Sequence, residues 1–224
     1  MASPRDMDIE VGEAISAFKS GRPVMIYDSD YREMETDLLW HAAAATPEVI
    51  RRLRNDCGGL LFLAIGNEIG EMFGLPWLQD IHSHKSLVEE NPVLGHLVTN
   101  DLQYDSRSAF TLSLNHRETY TGITDRDRSL TTRRFGELSR ELIEKGEDGA
   151  RAKESLGKEF RTPGHIPVCR ESPGGLKTRQ GHTELAVSIA RLAGLTACTI
   201  GAEMLEPEGD GALSVEGARA VSYT

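Results

Sequence analysis

The chain has 224 residues, of which 39% are hydrophobic and 27% are charged, and its formal net charge is -10. This length and composition are typical of a globular protein with one large core, so we expect residues 1–224 to form a single domain. The negative charge and the low aromatic content of 6% argue against binding to nucleic acid. Any phosphorylated ligand must therefore be small and must bind to a local group of positive charges.

The N-terminus and the cysteines indicate where the protein acts. Residues 1–6 contain no apolar signal core, and no apolar run approaches the roughly 20 residues that a membrane span requires. Cys57, Cys169 and Cys198 are odd in number and far apart, which argues against a disulfide scaffold or a zinc ribbon. We expect a cytoplasmic protein with reduced thiols and no contact with membranes.

The first elements carry clear local signals. Apolar residues at helical spacing predict a helix over 11–18, and the apolar residues 24–27 predict the first strand. Thr46 followed by Pro47 is a typical helix start, because threonine caps the helix and proline fits its first turn. The sequence therefore predicts a helix over 47–56.

The middle of the chain is less regular. The continuous apolar run 60–65 predicts a buried strand, and the following residues 66–108 predict loops and short helices. Alternating apolar and polar residues over 109–115 predict a half-buried strand. A long helix is expected over roughly 125–145.

The last third completes the fold. Residues 146–162 are predicted to form a surface connection, residues 166–168 a short strand and residues 196–205 the last strand. Between them a helix is predicted to end at Gly194. Its predicted buried stripe consists of Leu185, Ile189, Leu192 and Ala193. Helices and strands interleave without a regular βαβ rhythm, which favours the α+β class: a single-domain three-layer α/β/α sandwich around a mixed sheet.

An acidic loop follows the first predicted strand. Residues 28–37 contain five carboxylates and one arginine, Arg32, and oxygen-rich loops of this kind bind cations. Loops at strand ends commonly carry active-site groups. The alternative is a solvated acidic loop, since charge runs usually face water. Arg32 weakens this alternative, because its guanidinium can fork onto a phosphate or a carboxylate.

A possible anion site precedes the last predicted helix. Gly181 and Thr183 lie at its start, where backbone N–H groups point outward, and Arg179 can add a charged fork. This arrangement suits a phosphate monoester. The alternative is an ordinary helix cap with a surface arginine.

Two single residues could take part in proton transfer. His165 follows a Pro-Gly turn, which would hold its imidazole at a strand edge. Glu203 lies among apolar strand residues, where burial would raise its pKa, unless it faces outward at the strand end. No Walker loop, nucleophile elbow or GxGxxG motif is present, so the sequence does not support nucleotide hydrolysis, serine hydrolase chemistry or dinucleotide binding.

Five motifs, taken in order and spacing, resemble the 3,4-dihydroxy-2-butanone 4-phosphate synthase family. They are Asp28-x-x-x-Arg32-Glu33-x-Glu35-x-Asp37, Thr121-Gly122-Ile123-Thr124 with Asp127-Arg128, Pro163-Gly164-His165, Arg179-x-Gly181-His182-Thr183-Glu184, and Glu203-Met204. The resemblance covers nearly the whole chain. It is strongest to the stand-alone, archaeal-type branch, although the segment 76–108 is longer than in bacterial relatives.

The resemblance implies conversion of D-ribulose 5-phosphate into formate and 3,4-dihydroxy-2-butanone 4-phosphate, a committed step toward riboflavin. It implies a homodimer with two divalent ions, Mg²⁺ or Mn²⁺, in each active site, held by Glu33 and His182. The implied substrate-binding residues are Arg32, Glu33, Asp37, Thr121, Arg179, Gln180, Gly181, His182, Thr183 and Glu203. The implied catalytic residues are His165, Glu203, Asp37 and Glu35.

The implied chemistry fits these residue types. Removal of a proton beside the C2 ketone gives an enediolate, whose charge divalent cations stabilise. Loss of water, rearrangement of the carbon skeleton and release of C4 as formate then require acids and bases. Two other readings stay open: a phosphosugar-binding module without turnover, and a metal-dependent isomerase that stops at the enediol. Only the synthase releases formate, whereas the isomerase changes the sugar without formate and the binding module leaves it unchanged.

Overall fold

A mixed six-stranded sheet forms the centre of the molecule. The computed structural model describes residues 4–103, 105–147 and 149–221. The strands are β1 (Val24–Tyr27), β2 (Thr36–His41), β3 (Phe62–Ile65), β4 (Phe110–His116), β5 (Phe160–Arg170) and β6 (Cys198–Glu203). Their order is β1-β2-β6-β3-β5-β4, and neighbouring strands are antiparallel except for β3 and β5, which are parallel.

Helices of very different length connect these strands. They are α1 (Pro4–Lys19), α2 (Pro47–Asp56), α3 (Asn67–Phe73), α4 (Leu78–His82), α5 (Lys85–Glu90), α6 (Val93–His96), α7 (Asp125–Lys145), α8 (Gly149–Glu159), α9 (His182–Leu192) and α10 (Val215–Val221). None of the described helices combines the length and the apolar composition needed to cross a membrane.

The two faces of the sheet are covered by different helices. Side chains alternate between the faces along each strand, so Leu38 of β2 packs with α2 and α7, whereas its neighbour Leu39 packs with α1 and α9. The larger core, on the first face, includes Phe135 of α7, and the smaller core includes Phe18 of α1. This arrangement confirms the predicted α+β fold, with a layer of helices on each side of a mixed sheet.

Several local predictions are confirmed. Helix α2 spans the predicted residues 47–56, and the Thr46 hydroxyl accepts a hydrogen bond from the Val49 N–H at 3.3 Å. Helix α7 spans the predicted residues 125–145, and Thr124 caps it by accepting from the N–H of Asp127. Residues 66–108 contain four short helices, as expected. Such agreement is expected where caps and long periodic patterns specify the element.

Three predictions are wrong. Residues 149–159 of the predicted surface connection form α8, which buries Ala152 and is joined to α7 by Arg134 through Glu159. The predicted short strand 166–168 is part of the 11-residue strand β5, because pairing with β4 extends it. The predicted buried stripe of α9 is right at Ile189 and Ala193 but wrong at Leu192, which is 63% exposed, and the buried side of the helix also includes Ala186, Val187 and Ala190.

Candidate active site

The acidic loop between β1 and β2 is organised by Asp28. Its carboxylate accepts backbone hydrogen bonds from Glu33 at 2.8 Å and from Glu35 at 3.2 Å. Met34, between them, has a positive φ of 56°, a conformation that non-glycine residues rarely adopt. The local fold of the loop therefore fixes the direction in which Glu33 points.

Glu33 contacts a histidine that is 149 residues away in sequence. The Nδ1 atom of His182, the first residue of α9, lies 3.2 Å from Glu33 Oε2, and its Nε2 atom lies 3.1 Å from the carbonyl oxygen of Glu35. Gly181 caps α9, and a Cβ there would lie only 2.3 Å from the Arg179 guanidinium. The tertiary fold thus joins the acidic loop to the start of α9.

The charges around His182 favour its protonated form. Burial alone would lower the pKa of His182, but the hydrogen bond with Glu33 and the charges of Asp37 and Asp28 outweigh burial and raise the pKa to about 9. The hydrogen bond with His182 lowers the pKa of Glu33 in turn. Both shifts describe the same ion pair in a protein without a bound cation.

Two carboxylates face each other behind this ion pair. Asp37 of β2 is directly opposite Glu203 of β6 in the antiparallel register, so their side chains lie on one face. Asp37 is fully buried, and neither of its oxygens has a hydrogen-bond partner among the described residues, although His182 Nε2 lies 3.6 Å away. Burial raises the pKa of both carboxyl groups.

Two arginines form the positive side of the site. Arg179 Nη1 donates to Glu184 Oε2 at 2.6 Å, and Arg179 Nε and Nη2 both lie 2.8 Å from Asp105 Oδ2. Arg32 Nη2 donates to the same Asp105 oxygen at 2.5 Å. Glu33 also accepts from Arg32 at 3.2 Å, which connects the arginines to the Glu33–His182 pair.

Some of these groups line a cavity of about 310 Å³. The polar residues that line it are Glu33, Asp105, Arg107, Ser108, Arg179, His182, Thr183 and Glu203. Apolar walls are supplied by Leu60, Phe62 and Leu102. A cavity of this size suits a small ligand, which the charged residues of its lining would orient.

The donor atoms fit a divalent cation. Asp28, Glu33 and His182 each offer one ligand atom, and these atoms lie within 4.8 Å of one another. The Asp28 oxygens already accept two backbone hydrogen bonds, so Glu33 and His182 are the better placed ligands. Mg²⁺ needs few protein ligands because it keeps several waters, and an imidazole ligand also suits Mn²⁺. The unpartnered oxygens of the buried Asp37 are a further reason to expect a cation or a substrate hydroxyl here.

The structure does not bring every predicted site residue to this cavity. Arg32, Glu35 and Asp37 lie next to the lining residues Glu33 and His182 and, like Gly181, do not line the cavity themselves. His165 lies in β5, where Asn115 Oδ1 accepts from its backbone N–H at 2.8 Å, and it lines a neighbouring cavity together with Leu60. The backbone N–H of Thr121 donates to Asp127 at the start of α7. Gln180 is exposed and contributes no side chain to the cavity lining.

The sequence did not indicate a functional role for three residues near the site, which are Asp105, Glu184 and Asn115. Asp105 lies in an irregular segment without a motif, and no local pattern could have identified it. Glu184 belongs to a motif that was recognised, but its role in holding Arg179 depends on its burial inside α9. Asn115 holds His165 through a contact across β4 and β5, which are 50 residues apart at this point.

Comparison with known proteins identifies the family. A family model described as 3,4-dihydroxy-2-butanone 4-phosphate synthase matches residues 12–223. The 3,4-dihydroxy-2-butanone 4-phosphate synthase of Methanothermobacter thermautotrophicus is 40% identical over 210 residues, covering 94% of this chain and 87% of that protein. The protein of the same name from Archaeoglobus fulgidus is 39% identical over 218 residues, covering 97% of this chain and 87% of that protein. Both relatives are archaeal, as the sequence motifs indicate.

A solved structure agrees with these relatives. The crystal structure of a 3,4-dihydroxy-2-butanone 4-phosphate synthase in complex with two magnesium ions has a TM-score of 0.69 and 25% identity to this chain. The match covers 95% of this chain and 88% of that chain. From the match of the family model and the identity to its relatives, we conclude that the chain belongs to the 3,4-dihydroxy-2-butanone 4-phosphate synthase family.

Proposed function

We propose that this chain, as a single domain acting in the cytoplasm, converts D-ribulose 5-phosphate into formate and 3,4-dihydroxy-2-butanone 4-phosphate, a lyase reaction on the way to riboflavin. The observation that carries the proposal is the contact between Glu33 and His182, 3.2 Å apart across 149 residues of sequence. This contact joins an acidic loop to a helix N-terminus beside Arg179. A phosphorylated sugar requires both kinds of group in one cavity.

Each side of the cavity would bind a different part of the substrate. Arg179, with the backbone at Gly181 and Thr183, would bind the phosphate, since a guanidinium and a helix N-terminus both favour an anion. Arg32 and Asp37 would contact the sugar hydroxyls. Glu33 and His182 would hold two divalent cations, Mg²⁺ or Mn²⁺, which when bound stabilise the charge of an enediolate.

The carboxyl groups are suited to proton transfer. Burial raises the pKa of Asp37 and of Glu203, so each can keep its proton nearer to neutral pH than an exposed carboxyl can. In that form they can protonate a departing hydroxyl, and as anions they can accept a proton from carbon. Burial and the charge of Glu33 also raise the pKa of Glu35, which gives it the same capacity.

His165 and Thr121 would contribute to the active site of a second subunit. Within one chain neither residue lines the Glu33–His182 cavity, although both belong to the motifs of the family. A homodimer could bring them to the partner's cavity and so complete each site from two chains. Their position outside the Glu33–His182 cavity of their own chain and their place in the motifs of the family support this assignment.

Detection of formate tests the proposed reaction. The protein is incubated with D-ribulose 5-phosphate and Mg²⁺, and formate is followed by NMR. We expect formate in proportion to 3,4-dihydroxy-2-butanone 4-phosphate, and no formate after exhaustive chelation. A change in the sugar without formate would favour an isomerase, and binding without any change would favour a sugar-binding module. Full activity after chelation would contradict the cation site.

Two substitutions test the site itself. Glu33→Gln and His182→Ala each remove a proposed cation ligand and should lower kcat by several orders of magnitude, with the circular dichroism spectrum unchanged. Asp30→Asn is the matched control, because Asp30 is an exposed carboxylate of the same loop that accepts a hydrogen bond from the Tyr27 hydroxyl. Near wild-type turnover in either ligand variant would show that the site lies elsewhere.

A mixed dimer tests the role of the second subunit. His165→Ala and Glu33→Gln chains, each inactive alone, are co-expressed and purified together. If His165 acts across the dimer, random pairing leaves one intact site in half of the dimers, and roughly one quarter of wild-type activity returns. If His165 acts within its own chain, the mixture stays inactive.

A further inference from the structure

One oxygen of Asp105 accepts hydrogen bonds from both arginines of the site. Asp105 Oδ2 lies 2.8 Å from Arg179 Nε, 2.8 Å from Arg179 Nη2 and 2.5 Å from Arg32 Nη2. The Asp105 side chain is only 10% exposed. Three guanidinium donors around one anionic oxygen form an arrangement that also suits a phosphate oxygen.

Asp105 occupies the Nε and Nη2 donors of Arg179, which a bound phosphate would also need. The opposite side of this guanidinium, at Nη1, is held by Glu184, which is completely buried and also accepts a hydrogen bond from the backbone N–H of Ser172. Asp105 occupies the donors at Nε and Nη2, and both Arg179 and Asp105 line the cavity. A phosphate bound to Arg179 must therefore replace the Asp105 carboxylate.

The two anions cannot share this position. A phosphate beside an ionised Asp105 would place like charges at contact distance among largely buried side chains, which is strongly unfavourable. Asp105 also closes the cavity together with its neighbours Leu102 and Arg107, which line it. Displacement of Asp105 would thus release Arg32 and Arg179 from this carboxylate and would open the side of the cavity that Asp105 lines.

Among its described residues, the segment that carries Asp105 is held in part by contacts at the protein surface. The Arg107 guanidinium lies 3.5 Å from the centre of the Trp77 ring, and its Nη1 lies 3.7 Å from Asp80. Leu97 and Val98, at the beginning of the segment, are 70% and 47% exposed, so little apolar burial fixes them. A segment with few buried apolar contacts can move at low cost in free energy.

We propose that Asp105 is a specificity-determining residue, which occupies the anion position between Arg32 and Arg179 until a phosphate dianion displaces it. This inference deepens the proposed function and rests on it. A ligand with a weak or absent negative charge cannot replace a carboxylate held by three donors, so phosphate-free sugars are excluded. The apparent Kd for phosphate then equals the intrinsic Kd divided by the fraction of protein in which Asp105 has left the arginines.

The direction of the effect separates this role from a structural one. Arg179 keeps its bond to Glu184 when Asp105 is neutralised, and Arg32 keeps its contacts with Glu33 and Asp28. The arginines therefore stay in place while their competitor is lost. Removing a residue that only orders the site would weaken ligand binding, whereas removing an internal competitor strengthens it.

Titration with inorganic phosphate tests the proposal. Asp105→Asn keeps the shape of the side chain and removes its charge, and we expect the Kd for inorganic phosphate, measured by calorimetry, to fall roughly tenfold or more. Asp105→Ala should also lower the Kd for inorganic phosphate, and it replaces Asp105→Asn in the test if that variant does not fold. Asp101→Asn, an exposed carboxylate of the same segment, is the matched control and should leave Kd unchanged.

The result is independent of catalysis. If Asp105→Asn binds phosphate with the wild-type Kd or more weakly, the internal competitor does not exist and the proposal is wrong. Wild-type formate release with such a result would leave the proposed function intact. Tighter phosphate binding without any formate release would instead overturn the proposed function and keep the role of Asp105. If both the proposed function and the role of Asp105 are correct, the KM of Asp105→Asn for D-ribulose 5-phosphate should fall together with its Kd for inorganic phosphate.

Discussion

The carboxyl group of Asp37 shows how a single residue acquires unusual chemistry from its surroundings. It is fully buried, neither oxygen has a hydrogen-bond partner among the described residues, and Glu203 lies directly opposite on the neighbouring strand. Buried carboxyl groups without partners are costly, so proteins rarely keep them without a functional reason. The arrangement is consistent with an acid–base pair whose members share one face of the sheet.

Replacement of Glu203 by glutamine tests this pair. Glu203→Gln removes a proton donor and acceptor while keeping the shape of the side chain, so kcat should fall roughly 10²–10⁴-fold. The affinity for D-ribulose 5-phosphate, measured by calorimetry with chelator to prevent turnover, should stay close to that of the wild type. Glu206→Gln is the control, since Glu206 is exposed. A loss of affinity in proportion to the loss of kcat/KM would make Glu203 a binding residue.

Arg179 supports a second prediction for a single residue. Arg179→Ala removes the charged fork beside Gly181, and a charge-assisted hydrogen bond contributes about 1.5–3 kcal/mol. The KM for D-ribulose 5-phosphate in the formate assay should therefore rise roughly tenfold or more. The exposed Lys177, near the same helix start, provides the control Lys177→Ala. An unchanged KM in Arg179→Ala would show that the phosphate group of the substrate binds to another part of the molecule.

Among the elements, the close contact between β4 and β5 determines where His165 lies. Gly164 approaches the β4 backbone so closely that a Cβ would lie 1.9 Å from the carbonyl carbon of Leu114. Its backbone N–H donates to Ser113 Oγ at 3.1 Å, and the adjacent His165 is bonded to Asn115. The glycine is therefore needed for strand packing, and the position of the histidine follows from it.

A pair of glycine substitutions tests this contact. Gly164→Ala should lower the free energy of unfolding by about 3 kcal/mol or more, because backbone atoms cannot move aside as a flexible side chain can. Gly157→Ala is the matched control in α8, where a Cβ would meet no atom within 4 Å. It should stabilise the protein by about 0.5–1 kcal/mol, since alanine favours helices. Equal urea midpoints for the two variants would contradict the close approach.

For the whole molecule, the site's charges make stability depend on pH. The pKa of His182 rises from its ordinary value of 6.5 to about 9 on folding. A raised pKa means that the folded state holds the proton more tightly, so the stabilisation is complete below about pH 6.5 and is lost as the pH rises toward 9. Burial lowers the pKa of His41, which acts in the opposite direction and at lower pH.

This dependence can be measured as a difference between two proteins. In the presence of chelator, wild type should be more stable than His182→Gln at pH 6.5, and this advantage should shrink by more than about 1 kcal/mol by pH 9. Urea unfolding of both proteins at several pH values measures it. The buried cysteines, whose pKa values are also raised by burial, cancel in the comparison. A difference that does not change with pH would show that the ion pair with Glu33 is not formed.

Sequence alone determined the elements whose signals are local. The cap at Thr46, the long helix that begins after Thr124 and the strand 24–27 were predicted closely, because capping and periodicity depend on neighbouring residues. The α+β class followed from the interleaving of the predicted helices and strands, and the family followed from five motifs in order. Helix α8 was missed because its stabilising contacts, such as the bond between Arg134 and Glu159, join residues that are 25 apart.

Only the tertiary structure decided which of these residues act together. The contact between Glu33 and His182 spans 149 residues, and the hydrogen bonds from Arg179 and Arg32 to Asp105 span 74 and 73. No spacing rule relates such positions, because the path of the chain through the sheet sets their distance. The same holds for His165, which the motifs assign to the active site but β5 places beside a different cavity. Sequence thus determined which chemical groups this protein has, and the order of strands in its sheet determined which of them meet.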